Sequence, residues 1–279
     1  MITTPAPRWI NAPADLAPIV NSVWRWESAA PMELPLYLPG VGAECFFHHG
    51  QPPRLNGRRL PRAYLLFCTG TALRFEADGP LCFTALRIRA GRLRYLAALP
   101  PAAICDNPLP LDKVWGAAGA AVTEALTEAA PLASHATRLF DFVRQTLHER
   151  QPPGGKDAVN ATLDRLYYAP NLRIQTLADD LGWSRRSLER RFAAASGLSP
   201  KRFARLARMQ HVFRRVALSP GSDILGEALD IGYYDQAHFI HDVEDLTTLS
   251  PSHIVTQWRG KPTFYNRPSR LPEGALGAT

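Results

Sequence analysis

The sequence predicts an α+β chain: a β-rich N-terminal half that ends in helices, and an all-α C-terminal third. Three observations predict it. The run QPPGG from Gln151 to Gly155 can continue neither a helix nor a strand, and it separates two compositions. Upstream of it, short apolar runs rich in aromatic and β-branched residues lie between prolines and glycines; downstream, apolar residues recur at threes and fours. The downstream part also repeats its own pattern 50 residues on. The expected organisation is a β-rich domain over 1–150, a linker over 151–156, a helical domain over 157–260 and a flexible tail over 261–279, which is rich in Pro, Gly and Arg.

In chain order, Glu44–His48, Ala63–Cys68, Ala72–Ala77 and Leu81–Ile88 have the length and flanks of strands, closely spaced as in a small antiparallel barrel or sandwich. From about Trp115 to Arg150 the period becomes helical. Val122, Ala125 and Leu126 mark one stripe, Leu139, Phe142, Val143 and Leu147 another, and Pro131 separates them. Past the linker, the stripes are Val159, Leu163 and Leu166; Leu177 and Leu181; Leu188 and Phe192; then Phe203, Leu206 and Phe213.

The totals exclude several classes. An apolar fraction of 46% with 20% charged residues belongs to a folded globular chain, and no apolar run is long enough to span a membrane. Met1 to Pro18 carries Asp15 and four prolines and lacks the apolar stretch of a signal peptide, so a cytoplasmic protein is expected. Cys45, Cys68, Cys82 and Cys105 lie singly, without CxxC or zinc-ligand spacing, and read as buried thiols. The net charge of +7 is unevenly spread. Residues 173–215 carry 11 basic and 3 acidic side chains, whereas residues 216–258 carry 7 acids and no Lys or Arg. The first stretch suits a polyanion and the second does not.

The repeat explains why the first stretch is basic. Ala178, Leu181, Gly182 and Trp183 recur as Ala228, Ile231, Gly232 and Tyr233; Leu188 and Phe192 recur as Phe239 and Val243; Leu198, Ser199 and Pro200 recur as Leu249, Ser250 and Pro251. The alanine lets two helices approach, and the glycine ends the first of them in a left-handed turn. Ser184 or Asp235 then caps a second helix that buries an i, i+4 pair and leaves its other face free. That is a helix-turn-helix, built twice. The free face of the first copy holds Arg185, Arg186, Ser187, Glu189 and Arg190, side chains that read guanine and cytosine edges or hold phosphate. For one isolated copy, a solvated charged face explains the pattern equally well; the duplication favours duplex DNA. The segment Pro200–Leu218 between the copies is long enough, at about 27 Å, to set two readers near one major-groove repeat apart.

On these residues the region 157–258 resembles the DNA-binding domain of the AraC/XylS family. LADDLGWSRRSLERRFAAASGLSPKRF is similar to its first unit and GYYDQAHFIHDVEDLTTLSP to its second. The resemblance implies seven helices, recognition helices near 184–194 and 235–244, and base-facing Arg186, Glu189 and Arg190, then Gln236, Ala237, His238 and His241. It also implies a transcriptional regulator with RNA polymerase and a second copy of the chain as further candidate partners. Where that family has Arg, Phe and Lys, this chain has His241, Val243 and Glu244, with Asp242 and Asp245 adding negative charge. A protein-binding role for the acidic second unit is therefore the rival reading.

PGVGAECFFHHG, LPRAYLLF and PLPLDKVWG resemble the cupin-like sensory domains of the same family, which implies a small-molecule effector of unnamed kind. A cupin-fold enzyme is the remote alternative. His48 and His49 are adjacent, so on a strand they face opposite ways and cannot chelate together, and no nucleophile–base pair or phosphate loop stands out. No catalytic residue, metal or cofactor is expected. Trp24, Trp26, Phe46, His48, Tyr64 and Phe83 are candidates to line an apolar effector pocket, although aromatics at strand spacing are more often ordinary core.

Overall fold

In the computed structural model the described residues are 6–29, 33–67, 70–100, 104–126, 130–151, 157–219, 221–258 and 263–264. The N-terminal half is built from β1 (Arg8–Asn11), β2 (Val20–Ser28), β3 (Ala43–His48), β4 (Arg54–Leu55), β5 (Arg58–Arg59), β6 (Ala63–Leu66), β7 (Phe75–Glu76) and β8 (Leu81–Ile88). A short α1 (Leu93–Leu96), β9 (Leu109–Pro110), α2 (Leu111–Ala125) and α3 (Leu132–Arg150) complete it. Six strands form one sheet in the order β1-β2-β8-β3-β6-β9, and β5-β4-β7 form a smaller one. All pairs within these sheets are antiparallel.

Both faces of the large sheet are buried, which is why its strands read as unbroken apolar runs rather than as clean alternation. Alternate residues go to different cores. Trp24, Trp26, Phe46, Tyr64, Leu66, Phe83 and Ala85 meet Leu55 and Phe75 of the small sheet in an aromatic core. Val23, Cys45, Phe47, Leu65 and Leu86 face the other way, toward α2 and α3. His48 and His49 do point apart: His48 stacks on Phe46 and Tyr64, while His49 lies against the ring of His135 on α3.

Among the described residues the C-terminal part holds seven helices: α4 (Ala158–Tyr168), α5 (Ile174–Asp179), α6 (Arg185–Ser196), α7 (Pro200–Leu218), α8 (Ile224–Ile231), α9 (Gln236–Thr247) and α10 (Pro251–Trp258). Leu163, Leu166, Leu188, Phe192, Phe203, Phe213, Phe239 and Val243 are fully or almost fully buried, and they form one cluster that continues into the aliphatic core of the sheet. The two halves are therefore docked. Arg92 pairs with Asp164 at 2.5 Å and Arg94 with Asp157 at 2.5 Å, Thr71 Oγ1 donates to the Thr247 carbonyl at 3.2 Å, and the Trp258 indole donates to the Leu36 carbonyl at 3.3 Å.

Some sequence expectations shift. Of Ala72–Ala77 only Phe75 and Glu76 join a ladder, because their partner β4 is two residues long; Leu73 makes an isolated bridge to Tyr37. The first of the late helices starts at Leu111 rather than near Trp115, and Gly116 interrupts it with φ +57° and ψ −133°. The linker residues 152–156, Cys68 and most of the expected tail lie outside the described residues. Phe264 of that tail is described, and it is buried rather than loose.

Candidate nucleic-acid interface

Each repeat folds the way its spacing requires. Gly182 (φ +64°) and Gly232 (φ +101°) take the left-handed turn between the two helices of each unit, a conformation that is cheap only without a Cβ. The chain then folds back, so that the Trp183 amide donates to the Ala178 carbonyl at 2.9 Å and the Tyr233 amide to that of Ala228 at 3.0 Å. Ser184 Oγ accepts from the Ser187 amide at 3.2 Å and Asp235 from the His238 amide at 2.7 Å, capping α6 and α9 by the same geometry.

On α6, Leu188 and Phe192 go inward, while Arg185, Arg186 and Arg190 are exposed and Ser187 and Glu189 half-buried. Arg185 pairs with Glu189 at 3.0 Å one turn on; among the described residues Arg186 and Arg190 make no ion pair. Arg191 leaves the reading face: its guanidinium lies 4.8 Å from the centre of the Trp183 ring. On α9, Gln236, Ala237 and His241 are exposed. His238 is half-buried and turned back, its ring 5.3 Å from that of Tyr233, with Nδ1 accepting from the Tyr234 amide at 3.4 Å. Tyr234, absent from the sequence reading, is 88% exposed beside the N-cap of α9. The signal was the pair Tyr233–Tyr234: neighbours in an extended turn cannot both pack inward, and Tyr233 does.

The acids of the second unit have internal partners. Asp242 and Asp245 bind the two sides of the Arg205 guanidinium at 2.5 and 2.6 Å. Asp223 and Asp235 cap α8 and α9, and Arg215 lies 3.1 Å from Glu227 and 3.9 Å from Asp230. Among the described residues only Glu244 of these seven acids has no such bond. Two arginines of α7, Arg205 and Arg215, thus offset part of the acidic surplus of α8 and α9, while Asp223, Asp230, Asp235, Glu244 and Asp245 stay exposed.

The aromatic candidates behave differently. Trp24, Trp26, Phe46, His48, Tyr64 and Phe83 pack against one another with ring centres 5.0–6.5 Å apart. Burial pushes the His48 imidazole down to about 3, with neighbouring His49 lowering it further, and pushes the Tyr64 phenol up. A cavity of about 100 Å³ lies instead between the halves, lined by Tyr37, Glu44 and Arg87 on one side and Tyr167, Gln210 and Arg214 on the other. Among the described residues no group of three or more His, Cys, Asp or Glu could hold a metal ion.

A family model described as a helix-turn-helix domain matches residues 177–257. Residues 177–257 are an AraC-type helix-turn-helix domain. A curated relative, an uncharacterized HTH-type transcriptional regulator of Staphylococcus aureus, is 26% identical over 125 residues, which is 44% of this chain and 16% of that protein. The chain therefore spans about a sixth of that relative's length. Solved structures of ToxT from Vibrio cholerae are also similar. One aligns with TM-score 0.48 at 11% identity over 91% of this chain and 99% of that one. Another, bound to (E)-4-(8-methylnaphthalen-1-yl)but-3-enoic acid, aligns with TM-score 0.48 at 12% identity over the same shares. The AraC-type domain accounts for the duplicated turns, the shared caps and the two exposed helix faces. No helix among the described residues is long and apolar enough to cross a membrane.

Proposed function

We propose that this chain is a sequence-specific transcriptional regulator of the cytoplasm that reads duplex DNA with α6 and α9 and is controlled by a small molecule bound in its N-terminal half. The observation that carries the reading is the pair of identically capped helices, each with an apolar edge buried and a polar edge exposed. Arg186 and Arg190 are the principal base-reading side chains; Gln236, Ala237 and His241 read from the second unit. The rival, a protein partner on an acidic second unit, is weakened, because Arg205 and Arg215 offset part of that acidity from within the chain. Selection of bound sites from random duplex DNA tests the class directly, and a chain that enriches no sequence would sink it.

Two variants test the assignment of roles. Arg190→Ala is expected to cost about 1–3 kcal/mol on the selected site and to relax preference at one base position. Equal weakening on selected and random duplexes would make Arg190 a phosphate contact only. His241→Arg is expected to tighten binding and to steepen the slope of log K against log salt by about one unit, since one more cation meets one more phosphate. Band shifts at four salt concentrations read both quantities; an unchanged slope would mean that α9 does not sit on DNA.

A further inference from the structure

Phe264 lies six residues beyond the end of α10, yet its ring stands inside the N-terminal half. It is 6% exposed. Its centre is 5.1 Å from that of Tyr37, 5.5 Å from Trp26, 6.0 Å from Trp24 and 6.5 Å from Phe75, edge-on to each. Its carbonyl oxygen accepts from Arg87 Nη2 at 2.9 Å. The surroundings are organised for that ring. Arg87 also pairs with Glu44, which accepts from the Tyr37 hydroxyl at 2.8 Å and from the Trp24 indole at 3.2 Å, so one buried carboxylate positions two of the four rings and the cation. Phe264 further lines the cavity between the halves, and so forms the wall between that space and the aromatic core.

A residue from beyond the DNA-binding domain thus fills the part of the aromatic core nearest that cavity and places an oxygen on the arginine at its edge. We propose that this position is the effector site, that Phe264 occupies it as an internal stand-in, and that the effector is a small aromatic molecule carrying a carbonyl or carboxylate oxygen three or four bonds from its ring. The ring takes the place of Phe264 among Trp24, Trp26, Tyr37 and Phe75, and the oxygen takes the place of the Phe264 carbonyl on Arg87. Binding and tail are mutually exclusive. Because Phe264 is only six positions past Trp258 of α10, whose indole is held by the Leu36 carbonyl, displacing Phe264 loosens the tie between the N-terminal half and the second helix-turn-helix unit. The regulatory half of this inference rests on the function proposed above; the binding half does not.

The test uses the full chain and 2-phenylacetamide as probe, with tryptophan fluorescence as readout because Trp24 and Trp26 both meet the Phe264 ring. A ligand that competes with an internal occupant loses affinity by the fraction of time the site is open. If the tail is seated in about 90–99% of molecules, Phe264→Ala should bind the probe about 10- to 100-fold more tightly than the unaltered chain. Phe264→Leu, which keeps apolar bulk without the ring, serves if the alanine variant does not melt cooperatively, and should show a gain in the same direction. Ethylbenzene, which lacks the oxygen, should bind either variant about tenfold more weakly than 2-phenylacetamide. A residue that merely fastens the two halves gives the opposite pattern: a lower melting temperature and no gain in affinity in either variant, which overturns the proposal. Equal affinity for the two probes overturns the role of Arg87. The binding arm contains no DNA. A chain that gains the probe but selects no duplex sequence therefore contradicts the DNA reading alone, and one that selects sequence but never gains the probe contradicts the site alone.

Discussion

Asp242→Ala is expected to destabilise the chain by about 2–4 kcal/mol, whereas Asp245→Ala, three residues on and bound to the same arginine, should cost far less. The difference lies in burial and in what is left behind. The Asp242 side chain is 5% exposed and that of Asp245 50%. Asp242 accepts from Arg205 Nε with one oxygen and from the Tyr233 hydroxyl, at 3.0 Å, with the other. Burial and the Asp242 charge push the Tyr233 phenol up, so it stays a donor. Removing the carboxylate strands a buried hydroxyl and half of a guanidinium, and leaves a void against α7. Arg205 keeps Asp245 and some contact with water, which places the loss below that of a fully sealed pair. Asp242→Asn keeps an acceptor for Tyr233 and should fall between the two alanine variants. Urea midpoints at one pH read all three; equal shifts for Asp242→Ala and Asp245→Ala would show that this network does not hold α9 on α7.

The same residues show how far the sequence could be read. The two units, their turns, their caps and their apolar edges followed from spacing alone, because each position answers to a local rule: a glycine where φ is positive, an oxygen at the N-cap, a buried pair at i and i+4. The acids could not be read that way. Asp242 sits 37 positions from Arg205, and nothing local says that two helices bring them together. In the one-dimensional sequence, unlike charges in separate blocks look like two surfaces; in the fold Arg205 and Arg215 join them. His238 was likewise read by position as base-facing, and its neighbour Tyr233 turns it aside.

The N-terminal half was legible as strands and less so as a site. Leu81–Ile88 falls where its pattern places it, and the six candidate aromatics do converge on one core. What fills the edge of that core, Phe264, comes from a segment whose composition signals looseness, and a single aromatic among Pro, Gly and Arg carries no periodicity by which to place it. The polar group beneath the other face was also out of reach. Arg25 donates to His135 Nδ1 at 2.5 Å, Thr84 lies 3.3 Å from that nitrogen and 2.8 Å from His49 Nε2, and these four residues come from β2, β8, α3 and the position just past β3.

Acid is expected to weaken the fold well above the range in which carboxylates titrate. Burial pushes His48 down to about 3 and His49 to about 4, the latter helped by His135, Arg25 and Arg62; burial also pushes His211 to about 4, with Arg214 and Arg215 adding to it against the carbonyl of Tyr167. In the unfolded chain each of these rings titrates near pH 6.5. Above about pH 7 they are neutral in both states and contribute no pH dependence. As the pH falls below 6.5 the unfolded chain takes up protons that the folded chain refuses, so stability drops by up to about 1.4 kcal/mol per pH unit for each ring. His48 is nearly sealed while His49 and His211 are only partly so, so a loss of about 1–2 kcal/mol apiece at pH 5 is expected, several kcal/mol in all. The loss continues until His49 and His211 charge in the folded state near pH 4. Asp15, Asp78 and Asp245, held below the usual carboxylate range chiefly by arginine partners, and Asp157, held there chiefly by the Tyr95 hydroxyl and Arg94 against burial, lose their contributions only below about pH 4; Asp164, raised by burial, acts in the opposite sense, over a range that begins at the usual carboxylate value and extends above it. The fall in stability between pH 6.5 and 4.5 therefore comes from the histidines, with Asp164 opposing it. Urea midpoints at pH 7.5 and 5.0 measure it, and His211→Gln, which can keep a donor toward the Tyr167 carbonyl without a titrating ring, should reduce the drop by about a third. A midpoint that stays level from pH 7.5 to 5.0 would mean that these rings take up their protons inside the folded protein.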